Sequence, residues 1–293
     1  MRCYVSLFVL FCISLIHPDM SAQAQSLLWR IDLPAAEAPS WVFGTMHARC
    51  AQDIQLSDEL RSAISQAEQL ALELDLDDPA LALRVAKYAF MPKDSTLQRL
   101  LSPGAYDTLS AFLRDSVSMS ISNVESMRPL FLIGLLVGNV LGCTPVSYED
   151  RLMDIARSNT KEIIGIETVE EQFAAFASIP LREQARMVLE TIRNLDSTRV
   201  EFRRLDAAYA NADLDALLVL VQQSDVEFGR YQDSFLSDRN HRWISRMLTI
   251  AKSRSTVFAV GAAHLPGKDG VLSLLRSQGC TVTPIIAVSG SGK

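Results

Sequence analysis

The stretch "WVFGTMHARC" (Trp41–Cys50) decides how this chain is read. Trp41, Val42 and Phe43 are bulky and β-prone, so they predict a buried strand. Gly44 ends the run and His47 follows three residues later. "STVFAVGAAHL" (Ser255–Leu265) repeats the arrangement near the other end of the chain, with Gly261 and His264 at the same offset. Around both motifs the expected order is strand, G-x-x-H, helix, strand. The first motif leads into "LSDELRSAISQAEQL", a helix with Ser57 as N-cap and Leu60, Ile64 and Ala67 at helical spacing. "LALELDL" (Leu70–Leu76) then reads as a strand, with Glu73 and Asp75 on one side and Leu72, Leu74 and Leu76 on the other. The second motif leads into "DGVLSLLRSQG", a helix closed by Gly279, and then into the strand "CTVTPIIAV".

Two β-α-β halves at the chain ends therefore frame an α/β (α+β) protein with a mixed sheet. Parallel units of this kind are right-handed, and ligands gather at the carboxyl ends of their strands. "SLLWRIDLP" predicts a further strand, paired as a hairpin with Trp41–Phe43 across the Pro/Ser turn "PAAEAPS". The middle of the chain reads as a large helical insertion. Its helices include Pro129–Leu141, Tyr148–Ser158, one long helix over Leu181–Leu205, and Tyr231–Lys252. One short strand, "KEIIGIET" (Lys161–Thr168), interrupts them and ends at Glu167. No linker or low-complexity segment divides residues 25–293, which are expected to form a single domain.

The first 24 residues are expected to be a signal peptide. Arg2 gives a basic start, Tyr4–Ile16 an apolar core, and Ala22–Ala24 a small-x-small cleavage site. An exported protein, periplasmic or secreted, follows from that reading. "PLFLIGLLVGNVLGC" (Pro129–Cys143) is the most apolar later run and is too short to span a membrane, so no integral span is expected after cleavage. Lys and Arg number 28 against 34 Asp and Glu, a net charge of −6. The leader carries one charge of each sign, so its removal leaves the balance unchanged. With no basic run and no aromatic-basic interleaving, nucleic acid is not an expected partner. Cys50, Cys143 and Cys280 remain beyond the leader, so in an oxidising compartment one pair could close and leave one thiol over.

Four predicted strand ends carry polar groups: His47, Glu73 with Asp75, Glu167, and His264. Two neutral imidazoles and a carboxylate form a ligand set for a divalent metal such as Mn²⁺, Co²⁺ or Zn²⁺, with positions left for water. A metal so held would generate hydroxide for hydrolysis. Glu73 is expected as third ligand or as general base; the plainer reading is a solvated face of an edge strand. Gly44 and Gly261 would let the chain turn off its strand and bring backbone N–H groups to a bound oxyanion. Glu167 would line the cleft toward substrate or cap the next helix, since "TVEEQ" (Thr168–Gln172) resembles a capping box. "DRNHRW" (Asp238–Trp243) reads as an exposed helix face or as support for the site, with His241 at the surface. No GxSxG nucleophile motif occurs.

In order along the chain, "LLWRID", "WVFGTMH", "LALELDL", "SYEDRLMDIA", "IIGIETVEEQ", "SDRNHRW" and "VFAVGAAHLPGKDGVLSLLRSQGCTVTP" resemble blocks of the TraB/GumN family, which includes the Tiki metalloproteases of animals. The resemblance covers nearly all of residues 25–293. It implies a fold shared with erythromycin-esterase and ChaN-like proteins, in which paired GxxH motifs and a glutamate line one cleft. It implies metal ligation by His47 and His264, a match of Glu73 to the family glutamate, and a catalytic or supporting role for Arg239 and Asn240. It also implies a Cys50–Cys143 disulfide beside the site. The activity expected is that of a metal-dependent hydrolase, most simply a peptidase, acting on a peptide or small molecule. The alternative is a non-catalytic peptide- or haem-binding envelope protein.

Overall fold

A computed structural model describes residues 25–34, 36–223, 231 and 233–286. The expected signal peptide and the last two positions of the expected final strand lie outside them. Eight strands are described: β1 (Leu28–Asp32), β2 (Ser40–Thr45), β3 (Arg49–Cys50), β4 (Gln69–Leu72), β5 (Pro145–Val146), β6 (Glu162–Gly165), β7 (Thr256–Gly261) and β8 (Thr281–Ile285). Six of them form one mixed sheet in the order β6-β4-β7-β2-β1-β8. β2, β4, β6 and β7 run parallel, and β1 is antiparallel to both of its neighbours, β2 and β8. The hairpin of β1 with β2 and the mixed sheet are thus as the sequence predicts. β2, β4 and β7 are buried along their whole length, the pattern of central strands covered on both faces.

The decisive pairing is β2 against β7. It joins the two ends of the chain in parallel, with Thr45 opposite Gly261 and Gly44 opposite Val260. Helix α1 (Asp58–Gln66) links β2 to β4, and the Ser57 side chain accepts from the Leu60 amide at its start. β4 ends at Leu72, not at Leu76. The chain at Leu74–Asp75 turns so closely over Gly165 that a Cβ there would lie 2.5 Å from the Asp75 nitrogen. Asp75 accepts from the Asp77 amide in the turn that follows.

The insertion supplies α2 (Leu81–Ala89), α3 (Leu97–Leu100), α4 (Pro103–Ser116), α5 (Pro129–Leu141), α6 (Tyr148–Ser158), α7 (Val169–Ala177), α8 (Leu181–Arg193), α9 (Leu195–Ala210), α10 (Leu214–Gln223) and α11 (Asp238–Ser253); α12 (Val271–Ser277) follows β7. The single helix expected over Leu181–Leu205 is two helices that meet at Asn194. A π-helical turn, Asp233–Ser237, precedes α11 where a regular helix was expected. Trp29, Leu70, Trp243 and Phe258 belong to the core around the sheet. Leu97, Leu113, Leu132 and Val188 form a second cluster among the inserted helices. α5 buries Leu132 and Leu136 in that second cluster, and no helix among the described residues is long and apolar enough to cross a membrane.

β3 and β5 form a small antiparallel pair that sequence periodicity did not reveal. Beside it, Cys50 and Cys143 form a disulfide with their Cα atoms 5.8 Å apart, and Cys280 is free and buried. The bond ties the loop after His47 to the end of α5 across 93 residues of sequence. A loop of that length confines the unfolded chain strongly. Replacing both cysteines with serine is expected to lower the unfolding free energy by about 2–5 kcal/mol. Urea unfolding of the double variant against the oxidised protein measures this, and coincident midpoints would refute it.

Candidate functional site

The parallel strands all end on one edge of the sheet, and their polar residues meet there. His47 lies two residues beyond β2 and Glu73 directly follows β4. His264 closes the 3₁₀ turn Ala262–His264 after β7, and Glu167 lies two residues beyond β6. Glu73 Oε1 is 3.9 Å from His47 Nε2 and 3.8 Å from His264 Nε2, and it accepts from the Gly261 amide at 2.9 Å. A Cβ on Gly261 would lie 3.4 Å from both Glu73 Oε1 and His47 Nε2, so the missing side chain keeps open the space between these two residues.

Arg239, in the first turn of α11, is buried at the centre of the acidic cluster. Its Nη2 donates to Glu73 Oε2 and to Glu167 Oε1, both at 2.5 Å, and its Nη1 donates to His264 Nε2 at 3.2 Å. The guanidinium also lies 4.6 Å from the centre of the Trp243 ring. Glu167 is enclosed: Trp243 Nε1 donates to its Oε2 at 3.0 Å, and Gln172 bridges its Oε1 to Glu73 Oε2. The capping box of α7 is real but is made by Thr168 and Glu171. Glu167 is therefore not the cap, and Glu73 is not on a solvated edge, because β4 lies between β6 and β7.

The two histidines sit in different surroundings. His264 is buried against Trp243, with ring centroids 4.4 Å apart. Its Nδ1 donates to Asn240 Oδ1 at 2.6 Å, while the Asn240 amide donates to the carbonyls of His264 and Asp269. With Arg239 donating to Nε2, the ring must be the neutral Nδ1–H tautomer. Burial dominates, with Arg239 and His47 adding to it against the pull of Glu73, and the pKa falls to about 3. His47 stands at the mouth of the site with 64 % of its side chain exposed. Its Nδ1 donates to Glu149 Oε1 at 2.8 Å. Partial desolvation of the ring opposes its charge, but the bond to Glu149 and the carboxylates of Glu73 and Glu149 outweigh that and raise its pKa to about 9. Burial opposes ionisation of Glu73, yet Arg239, the two imidazoles and the Gly261 amide hold its pKa well below the usual carboxylate range.

Glu149, in the first turn of α6, was not singled out by the sequence. No motif spacing points to it, because its nearness to His47 depends on the pairing of β3 with β5. His241 is exposed and contacts Asp269, the surface position expected for it. Among the described residues, no group of three or more His, Cys, Asp or Glu side chains is placed so that it could hold a metal ion.

Residues 27–284 match the model of the TraB/PrgY/gumN family, and the chain belongs to that family. It is 24 % identical to "Metalloprotease TIKI homolog" of Amphimedon queenslandica over 91 % of this chain and 62 % of that protein. It is 22 % identical to "Metalloprotease TIKI2" of Danio rerio, covering 90 % of this chain and 62 % of that protein. The chain thus spans about three fifths of the length of these relatives. No solved structure matches it.

The two motif glycines should respond differently to substitution. A Cβ on Gly44 would lie 2.9 Å from Leu265 Cδ1 and 3.1 Å from the Ala262 backbone, so Gly44→Ala is expected to destabilise by about 1–3 kcal/mol. Gly261→Ala should fold with a melting temperature near that of the parent, because its nearest neighbours would be at ordinary contact distance. Thermal unfolding of both variants checks the contrast, and equal losses would contradict it. Glu171 provides a pH test of the frame. The bond from Arg246 is the main reason its pKa is lowered from 4.5 to about 2. Its stabilisation is complete above the unfolded value and is lost as pH falls from 4.5 toward 2. Glu171→Gln should flatten the acid limb of the stability curve in that interval and leave neutral-pH titration behaviour unchanged.

Proposed function

We propose that this chain is an exported, metal-dependent hydrolase, most simply a peptidase, formed as one domain over residues 25–293. Export rests on the leader-like sequence at 1–24 and on the Cys50–Cys143 bond, which suits an oxidising compartment. The peptidase reading draws on relatives named metalloproteases at 22–24 % identity. The observation that carries it is the space over Gly261, bounded by Glu73 Oε1 and His47 Nε2 beside the His264 ring.

The residue types beside Gly261 are those that hold a divalent cation such as Mn²⁺, Co²⁺ or Zn²⁺, although they are not spaced as ligands of one ion. It offers two imidazole Nε2 atoms, each with its Nδ1 tied to an oxygen, and one carboxylate oxygen. His47, His264 and Glu73 would hold the ion, which when bound supplies a water of lowered pKa. Arg239 neutralises Glu73 and Glu167 and steadies the site from behind, its Nη1 bonded to His264 Nε2 and to the Phe235 carbonyl. Asn240 holds the His264 ring. We assign Glu167 to anchoring Arg239 and not to touching substrate, since both its oxygens are committed inside the protein. Gly44 serves close packing, with its amide and carbonyl bonded to Leu27 and Tyr209.

A second reading, binding of a peptide or small molecule without turnover, has one observation in its favour. Arg239 Nη1 covers the Nε2 lone pair of His264 that a metal would need. Metal analysis of the purified protein and of His47→Ala and His264→Ala separates the two readings. The hydrolase reading expects bound metal near one equivalent, metal-dependent cleavage of a peptide mixture, and loss of both in each variant by at least about a hundredfold. Equal metal content in all three proteins would remove it and leave the binding role.

A further inference from the structure

We infer that Glu149 is the positioning residue for His47, so that the helical insertion sets the ring on which the first G-x-x-H motif depends. Only the metal-affinity part of its test rests on the reading of the site given above. Glu149 lies 102 residues from His47 in sequence and in neither motif. It is buried, and its Oε1 receives two donors, His47 Nδ1 at 2.8 Å and Thr45 Oγ1 at 2.6 Å. Its Oε2 is enclosed and has no hydrogen-bond partner among the described residues. The carboxylate is therefore not shared out among other elements: the two bonds that hold it come from the last residue of β2 and from the motif histidine.

Capping α6 does not explain the residue. Ser147 caps that helix, with its hydroxyl accepting from the Asp150 amide at 3.0 Å. A buried carboxylate is costly unless it is well bonded, so its place beside β2 calls for a reason in its partners. The contrast with His264 supplies one. His264 is fixed by burial, by Trp243 and by Asn240. His47 has most of its side chain in solvent and little packing to choose its rotamer. The bond from Nδ1 to Glu149 is what turns Nε2 toward Glu73 Oε1. Thr45 in turn fixes the oxygen that does so. Carboxylates placed behind a metal-binding imidazole in this way hold its tautomer and strengthen it as a donor.

The test uses Glu149→Gln, which keeps the shape and removes the charge, and Thr45→Val, which leaves Glu149 in place but frees its oxygen. In metal-free protein, ¹⁵N-resolved NMR of the histidine rings reads the contact directly. The His47 Nδ1 proton should be strongly deshielded in the parent and should move upfield in Glu149→Gln, with His264 signals unchanged. Thr45→Val should shift it less, in the same direction. Equilibrium dialysis with Mn²⁺ should show affinity falling roughly ten- to hundredfold in Glu149→Gln. His47 signals identical to the parent in both variants would overturn the inference, and if Glu149→Gln fails to fold, Thr45→Val decides alone. A parent protein that holds none of Mn²⁺, Co²⁺ and Zn²⁺ would defeat the metal reading, while the NMR comparison would still judge Glu149.

Discussion

Three carboxylates, Glu73, Glu149 and Glu167, are buried at one edge of this sheet, and the structure depends on how their charge is balanced. Removing a carboxylate from water costs several kcal/mol even after the protein relaxes. Arg239 offsets two of them at once, because its planar fork reaches Glu73 and Glu167 together. A separate nitrogen of the same fork, Nη1, is left to donate to His264 Nε2. That single guanidinium therefore links the ends of β4 and β6 to the turn after β7. It constrains the start of α11 as well: the π-helical turn just before it places the Phe235 carbonyl where Arg239 Nη1 also donates to it, at 3.2 Å.

The two G-x-x-H motifs look equivalent in sequence but are not equivalent in space. β2 and β7 pair with Thr45 opposite Gly261, so the motifs are offset by one residue where they meet. Gly44 consequently faces Ala262 and Leu265 and gives room to the second motif's turn, whereas Gly261 opens the floor between the donors. His47 ends in the open mouth and His264 in the interior. With that one-residue stagger, one copy of the repeated motif carries an exposed imidazole bonded to a carboxylate and the other a buried imidazole bonded to an amide.

Much of this was legible in the sequence, and what was missed follows a pattern. The strands ending at His47, Glu73, Glu167 and His264 could be read because each is a short apolar run with a polar break, a local signal. The G-x-x-H echo then predicted that the chain ends meet. The end of β4 was misplaced because the alternation "LELDL" continues through residues that the close approach to Gly165 forces into a turn. The break at Asn194 and the π-turn were hidden because the surrounding helical periodicity runs across both. Glu149 and Gln172 were missed for a different reason. Each sits in an ordinary amphipathic helix, and only the tertiary arrangement turns it toward the site.

These residues also show what the insertion contributes. The chain-end halves supply His47, Glu73 and His264, which border the space over Gly261. The insertion supplies Glu149, Glu167, Gln172 and Arg239, which balance and aim them. The Cys50–Cys143 bond and the β3–β5 pair fasten the insertion within a few residues of His47 on one side and of Glu149 on the other. Strand ends alone would leave a polar rim free to relax in water. Enclosed by the insertion, the same residues are held at fixed distances in a place where their charges are poorly screened, and that is the condition under which a few polar groups can do chemistry.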